Sequence, residues 1–479
     1  MRFVFFIWSL IERFGGNVVS LLGNVLLSYL LSPDDFGMVT MLGVFSSLIF
    51  VLIDCGMSDG LLRMKEPSRK DFNTIFYFNL GVGVLLFLAY ALIAPWVAQF
   101  LGYPQLRAIL TTLGVGAIFS GLTITQITKL RSQLHFRRLA GLNISAISLA
   151  LCVAVLIALN GGGYWALVEL QVGFPGFYFV LLVIFSKWNL RWEFDFGRFK
   201  ELWAFGVNLL ASTIFVQLSQ NIFTFILGKY YNPVSAGFMG QAQKLQQTPT
   251  NSLEMSISST SFVLISKCET QEQKNVEILR MFGVMTFVNS LFCMLLLALS
   301  YPVIDVVFPS RWLPVVPYFR MMLCWGLVYP VCSYMLIIFK IFGRTDIIRN
   351  VMIAEKSLIV VFAFLFYRYG VMVMLASAIV VSLCSLSAYI YFASRLMGVK
   401  MMPFVGIFIR NLLPAVFAGG VSWLLVSLTP WSLLAIVAGA LVFLVLLVSE
   451  CKIFFPDYYG FVTEKIRVAF RRAECDKEG

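Results

Sequence analysis

The chain reads as a series of long apolar runs parted by breaks too short to fold into anything of their own. About fourteen runs stand out, at approximately 3–30, 37–58, 72–94, 106–128, 139–159, 163–185, 202–226, 234–265, 277–300, 313–339, 347–367, 370–394, 404–428 and 430–450. Each is of spanning length, since a helix crosses the hydrocarbon core in roughly 20 apolar residues. In lipid every backbone N–H and C=O has to be satisfied within the segment, and continuous apolar runs without strand alternation do this as helices. Charged residues make up only 13% of the chain against 60% hydrophobic ones, which excludes a water-soluble globule. The first run carries Glu12 and Arg13 near its centre and lacks a small-residue exit, so it is expected to stay as a span rather than be cleaved as a signal peptide.

The breaks repeat. LSPDDFGMVTM at 31–41 is answered by YYNPVSAGFMGQ at 230–241, with Pro33 and Gly37 matched by Pro233 and Gly237 at the same gap. ALIAPWVAQF (91–100) is answered by ALSYPVIDVV (298–307), and GYWALV from Gly163 by GVMVML from Gly370. A near-constant offset in corresponding places means that one unit is built twice. The spans then divide as six, six and two, and because six is even both copies enter the membrane the same way up. The expected fold is an all-α polytopic membrane protein of about 14 transmembrane helices: an N-lobe at 1–200 with spans 1–6, a C-lobe at 201–400 with spans 7–12, a terminal pair at 401–453 and a basic tail at 454–479.

A net charge of +12 invites a nucleic-acid reading, but the placement of the charges argues for topology instead. Most of the 36 lysines and arginines fall at the N-terminus, in alternate loops and after Cys451, while the other loops hold Arg107, Lys229, Arg311 and Arg368. This is the positive-inside bias, and it puts both termini in the cytoplasm of a multi-pass protein of the cytoplasmic membrane. Residues 458–472 and 129–138 read as basic amphipathic helices lying on that surface, anchored by membrane lipids. The nine cysteines show no C-x-x-C spacing and sit mostly inside apolar runs, so they are expected to act as small buried hydrophobes rather than in disulfides or a metal site.

Polar residues within the spans are costly and therefore informative. At 100° per residue, Ser9, Arg13, Gly16, Asn17, Ser20 and Asn24 share one face of span 1, with Glu12 at its edge, and Thr40, Gly43, Ser46, Ser47 and Asp54 share one face of span 2. Spans 7 and 8 are striped likewise, by Thr213, Gln217, Gln220, Asn221 and Thr224 and by Gln241, Lys244, Thr248, Asn251 and Ser258. These four spans are expected to line a hydrated cavity between the two halves. Arg13 and Lys244 each lie roughly 15 Å into their spans from opposite ends, near the midplane. Pro249 removes a ladder hydrogen bond from span 8 and gives that helix a place to bend.

Two cations in a polar cavity suit an anionic cargo such as a phosphate or pyrophosphate, and the amides and hydroxyls suit a hydroxyl-rich body. The substrate-binding candidates are Arg13, Lys244, Asn17, Asn24, Gln217, Gln220, Asn221, Gln241, Thr248 and Asn251. Glu12, Asp54 and Glu254 are candidates for proton or sodium coupling, with plain salt bridging as the alternative. Glu169 and Arg320 are weaker, because their helices carry no polar stripe. Catalysis finds little support: the single histidine, His135, lies in a loop, no Walker loop is present, and no large loop exists to carry a soluble site. No cofactor is expected.

At IWSLIERFG (7–15), LSPDDFGMVTM, DCGMSDGLLR (54–63), FNLGVG (78–83), LHFRRLA (134–140), GYWALV, GKYYNPVSAGFMGQAQKLQQTP (228–249), SRWLPVVPYFR (310–320) and GRTD (343–346), the chain resembles the multidrug/oligosaccharidyl-lipid/polysaccharide flippase superfamily. The branch it resembles is that of the Wzx-type and colanic-acid-type polysaccharide exporters. The resemblance implies two lobes plus a terminal pair, and movement of undecaprenyl-pyrophosphate-linked oligosaccharide repeat units for capsule, O-antigen or exopolysaccharide synthesis by alternating access. It also implies lipid-linked oligosaccharide and polysaccharide polymerase machinery as partners, with no nucleic acid among them. Related lipid II flippases use basic residues in spans 1 and 8 for the pyrophosphate, which map onto Arg13 and Lys244; their span 2 arginine is replaced here by Ser46, Ser47 and Asp54. A MATE-like drug or cation antiporter is the alternative, and a membrane scaffold without transport a third reading. An antiporter of organic cations calls for a carboxylate-rich cavity, so Arg13 and Lys244 discriminate.

Overall fold

The computed structural model describes residues 2–64, 67–186, 192–429 and 432–454. These form eighteen α-helices: α1 (Arg2–Leu30), α2 (Pro33–Thr40), α3 (Gly43–Asp54), α4 (Met57–Arg63), α5 (Arg69–Leu101), α6 (Gln105–Ser132), α7 (Phe136–Leu159), α8 (Trp165–Ser186), α9 (Phe196–Tyr230), α10 (Pro233–Ser266), α11 (Gln271–Ala298), α12 (Ser300–Val307), α13 (Val315–Gly326), α14 (Tyr329–Ile341), α15 (Thr345–Phe366), α16 (Val371–Met397), α17 (Met402–Leu428) and α18 (Ser432–Phe454). Two 3-10 turns, Ser310–Trp312 and Tyr367–Tyr369, complete the described residues, and no strand occurs among them. Among the described residues, nine helical stretches are long and apolar enough to cross a membrane, with α13 and α14 together forming one of them, or ten when α2 and α3, bent by 41° at their junction, count as one span. The protein is thus an all-helical, multi-pass membrane protein. By that measure α10 falls short because its polar stripe dilutes it.

The matched breaks of the sequence are built alike. Ser32 caps α2 in a capping box with Asp35, and Asn232 accepts the Ser235 amide at the start of α10, each cap being followed by proline in the first turn, where its missing N–H costs nothing. Gly163 and Gly370 both adopt positive φ, +52° and +103°, just before α8 and α16, a turn that a side chain at those positions would strain. The basic stretch at 129–138 departs from expectation. Instead of one surface helix it is the last turn of α6, a tight reversal through Leu134 at φ +57°, and the first turn of α7. The cap geometry of two spans overrides its amphipathic pattern. The tail read as amphipathic at 458–472 lies outside the described residues.

The chain divides into two compact units, one comprising Met1–Ser252, Phe308–Met322 and Arg344–Ser385, the other Leu253–Val307, Leu323–Gly343 and Leu386–Gly479. In the first, α1 packs on α7, α5 on α6, α6 and α7 on α8, and α9 on α3 and α15. Its tightest approach joins α2 to α10. A methyl group at Gly37 would overlap the Pro233 carbonyl, and one at Gly237 would overlap the Pro33 carbonyl, so the two repeat motifs grip each other reciprocally. Beside them Trp312, fully buried, packs edge-on against Phe36 at 4.9 Å and donates its indole N–H to the Ser28 carbonyl at 3.0 Å. Arg311 donates to the carbonyls of Ser28 and Tyr29 at 2.9 and 2.6 Å, closing carbonyls that the end of α1 leaves without helical partners.

In the second unit α11 packs on α17, and α17 on α18. Asn411 donates from α17 to the Gly283 carbonyl at 2.9 Å and to the Thr286 hydroxyl at 2.7 Å. Asn289 reaches the carbonyls of Gly326 and Leu327, at 2.9 and 3.1 Å, where the chain breaks between α13 and α14. Broken backbone at membrane depth persists only where such partners satisfy it.

The glycine contact gives a paired test. Gly37→Ala forces two helix backbones apart and is expected to destabilise the purified protein by about 1–3 kcal/mol. Gly81→Ala adds a methyl with nothing within 4 Å and is expected to be neutral or mildly stabilising, read as thermal melting of each variant in the same detergent.

Candidate functional site

The α2–α10 contact fixes which face of α10 looks into the first unit. Gly237, Gly240, Gln241 and Lys244 follow one another at helical spacing, so the face that touches α2 at Gly237 touches α1 one and two turns later. There Asn24 of α1, buried, donates its amide N–H to the Gln241 side-chain oxygen at 2.8 Å. The same Asn24 turns its amide oxygen to Lys244 and accepts from Nζ at 3.2 Å. Asn24 thereby orients the ammonium, and the Gln241 amide nitrogen is left buried without a partner. Lys244 stands roughly 16 Å of helix rise into α10, yet its side chain is exposed, because it projects into a cavity.

This deep cavity encloses about 610 Å³, in the range of small-molecule sites. Its polar lining is Asn17 and Ser20 of α1, Ser46 and Ser47 of α3, Ser120 of α6, Asn143 of α7, Gln171 of α8 and Lys244. Lys244 is the one charged group among the described residues that line it. Glycines let the wall form: a side chain at Gly16 would come within 2.9 Å of the Asn143 amide, one at Gly23 within 2.8 Å of Leu151, and one at Gly43 within 2.8 Å of the Asn221 amide oxygen. A cation at this depth is tolerable because its surroundings are amides, hydroxyls and solvent-sized space rather than hydrocarbon.

A second cavity of about 640 Å³ adjoins the first, sharing Phe50, Asn143 and Phe174. Along α3, α6 and α8 its lining follows that of the deep cavity toward the end of the unit where Arg69, Lys129, Arg131, Arg137 and Arg138 gather. Asp54, Ser58, Thr123, Thr128, Arg131 and Thr213 supply its polar groups. Asp54 accepts from both the hydroxyl and the amide of Ser58, and the Thr128 hydroxyl donates to that of Ser58 at 2.9 Å.

The sequence candidates divide accordingly. Asn17 and Lys244 line the deep cavity, while Asn24 and Gln241 hold Lys244 from behind. Asn221 donates to the Ser47 hydroxyl at 3.2 Å and so buttresses the wall. Gln217, Gln220 and Thr248 engage through backbone carbonyls, which accept from Asn221, Gln243 and Ser252, and with Asn251 they line neither cavity. Asp54 lines the second cavity; Glu254 belongs to the other unit and accepts from the Ser258 hydroxyl at 2.6 Å. Arg13 and Glu12 lie within α1, with side chains outside the described residues.

Sequence reasoning passed over the cavity-lining residues of α6, α7 and α8. Yet Gly116, Ser120, Thr123, Thr128 and Arg131 share a face of α6, and Gln171 precedes Pro175 by the four residues that leave the Gln171 carbonyl without its helical donor. Small hydroxyls blend into an apolar run, which is why this stripe is faint in the sequence. Also passed over were Glu355 and Lys356, adjacent in mid-α15, both buried and paired to each other at 2.7 Å.

A family model described as "Polysaccharide biosynthesis protein" matches residues 26–317. Teichuronic acid biosynthesis protein TuaB of Bacillus subtilis (strain 168) is 22% identical over 281 residues, covering 58% of this chain and 58% of that one. Lipopolysaccharide biosynthesis protein WzxC of Escherichia coli (strain K12) is 21% identical over 328 residues, 67% of this chain and 66% of that one. This chain thus spans 58–66% of the length of these curated relatives. Among solved structures, "Lipid II flippase MurJ, inward closed conformation" superposes with a TM-score of 0.75 at 15% identity over 94% of this chain and 99% of that one, a likeness of fold.

The wet character of the deep cavity is directly measurable. Over the background of the native cysteines, Asn17→Cys and Ser20→Cys are expected to react with a water-soluble thiol reagent at least about tenfold faster than Ser28→Cys, which is fully buried. Equal rates at all three positions contradict a hydrated cavity.

Proposed function

Because the chain belongs to the polysaccharide biosynthesis protein family, we propose that it is a flippase that moves undecaprenyl-pyrophosphate-linked oligosaccharide repeat units across the cytoplasmic membrane for a surface polysaccharide. One observation carries the reading: Lys244, an ammonium deep in the helix bundle, is aimed by Asn24 into a cavity otherwise lined by amides and hydroxyls. A phosphate is the partner that such a cation attracts most strongly, and neutral hydrogen-bonding walls suit sugar hydroxyls. Arg13, one of the sequence candidates, is proposed as the second cationic contact.

The finer organisation belongs to the same proposal. Fourteen spans are proposed, in two lobes of six at 1–200 and 201–400 plus a pair at 401–453, with both termini cytoplasmic as the loop charges require. Alternating access between the lobes exposes the cavity to each side in turn. Glu12, Asp54 and Glu254 remain the proposed carriers of any proton or sodium coupling, and the polymerase that joins the repeat units is the proposed partner downstream. A drug or cation antiporter is disfavoured by the deep cavity itself, where the described lining offers an ammonium and no carboxylate to an organic cation.

Reconstitution tests the central claim. In proteoliposomes, Lys244→Ala is expected to lower flipping of a fluorescent polyprenyl-pyrophosphate oligosaccharide by roughly tenfold or more, with Lys244→Arg retaining a substantial part of it. Flipping by Lys244→Ala at the unmodified rate removes the phosphate role from this residue.

A further inference from the structure

The two adjoining cavities differ in chemistry, and the difference matches two parts of one cargo. The deep cavity holds the ammonium of Lys244 and no described carboxylate. Its neighbour holds the Asp54 carboxylate together with the Arg131 guanidinium, the hydroxyls of Ser58, Thr123, Thr128 and Thr213, and the rings of Phe50, Phe174 and Tyr178. A carboxylate and hydroxyls set among aromatic rings are what a sugar ring asks for. Its hydroxyls donate to a carboxylate more strongly than to neutral acceptors, and its C–H faces lie on apolar rings. Phe50 keeps 52% of its surface exposed although it borders both cavities, so its ring is available for such contact.

We propose that the two cavities divide the cargo, the deep one taking the phosphate at Lys244 and its neighbour taking the glycan, with Asp54 as a specificity-determining residue that accepts hydrogen bonds from sugar hydroxyls. The proposal rests on the flippase reading and gives Asp54 a role other than ion coupling. Asp54 is the last residue of α3, where the helix dipole disfavours a negative charge, so its carboxylate is kept there by the Ser58 hydroxyl and amide rather than by the helix itself. Those two bonds also fix its direction, as recognition of a particular hydroxyl demands. The shared border at Phe50, Asn143 and Phe174 lets one headgroup reach both subsites at once.

The same Ser58 amide bond makes Asp54 a cap for α4, so the test has to separate capping from recognition. Asp54→Asn keeps an acceptor for the cap and removes the charge. Two probes are measured on the full-length protein in nanodiscs: a short-chain polyprenyl pyrophosphate without sugar, and the same pyrophosphate carrying a neutral tetrasaccharide. The unmodified protein is expected to bind the glycosylated probe more tightly. Asp54→Asn is expected to lose roughly tenfold on the glycosylated probe and to leave the bare pyrophosphate unchanged, while Phe50→Ala, which leaves the cap intact but borders both cavities, is expected to weaken the glycosylated probe more than the bare one. Lys244→Ala is expected to weaken both probes. If Asp54→Asn and Phe50→Ala leave both affinities unchanged, or weaken both in parallel, the division of the cargo is overturned while the Lys244 result still speaks for the flippase reading. If the unmodified protein binds neither probe, both readings fall.

Discussion

The close approach of α2 and α10 at Gly37 and Gly237 determines the rest of the first unit. Backbones come this near only where no Cβ intervenes, and here each glycine faces the carbonyl of the other motif's proline. From that contact the helical repeat does the positioning. Gln241 lies one turn on, Lys244 about two, and both arrive at Asn24 on α1. A residue far along the chain thus becomes the charged group of a cavity whose other lining residues lie between Gly16 and Phe174. Trp312 and Arg311 hold the same junction from the side, meeting the carbonyls at the end of α1.

Charge placement follows from desolvation. An ammonium or carboxylate in hydrocarbon is expensive, and four ionisable groups within the helices show how that cost is answered. Lys244 has a cavity and an amide; Asp54 has a cavity and a serine; Glu355 and Lys356 have each other. The last pair is buried within the helices. The first two face cavities, and it is this placement rather than charge alone that marks a candidate site.

The same economy governs the backbone. Proline and glycine interrupt the helices at several places, and four of these breaks have polar partners: Asn289 for the carbonyls at 326 and 327, Arg311 and Trp312 for those at the end of α1, Ser32 and Asn232 for the amides where α2 and α10 begin. Interruptions so supported let helices deviate from straight rods and leave space between them. The 41° bend between α2 and α3 places Ser46, Ser47 and Asp54 along one wall, with the deep cavity and its neighbour stacked beside it.

The sequence by itself determined the class of fold, because apolar run length and the need to satisfy every backbone group in lipid leave helices as the solution. It also showed the two Pro-x-x-x-Gly motifs, since these are local turn chemistry, and it singled out Lys244, Asn24 and Asp54, since intramembrane polarity is rare enough to be seen one residue at a time. Only the tertiary structure decided which polar residues share a cavity. Asn17 and Asn221 looked equivalent on their helical wheels, yet one lines the space and the other braces its wall. Ser120, Asn143 and Gln171 carried no signal above that of ordinary interhelix glue, and the reversal at Leu134 overrode an amphipathic pattern. The physical reason is that a hydrophobic stripe fixes only that a face avoids lipid; whether it meets another helix or water depends on how closely the neighbouring backbones pack, and here that is set by contacts such as Gly37 with Pro233, some 200 residues apart in the chain.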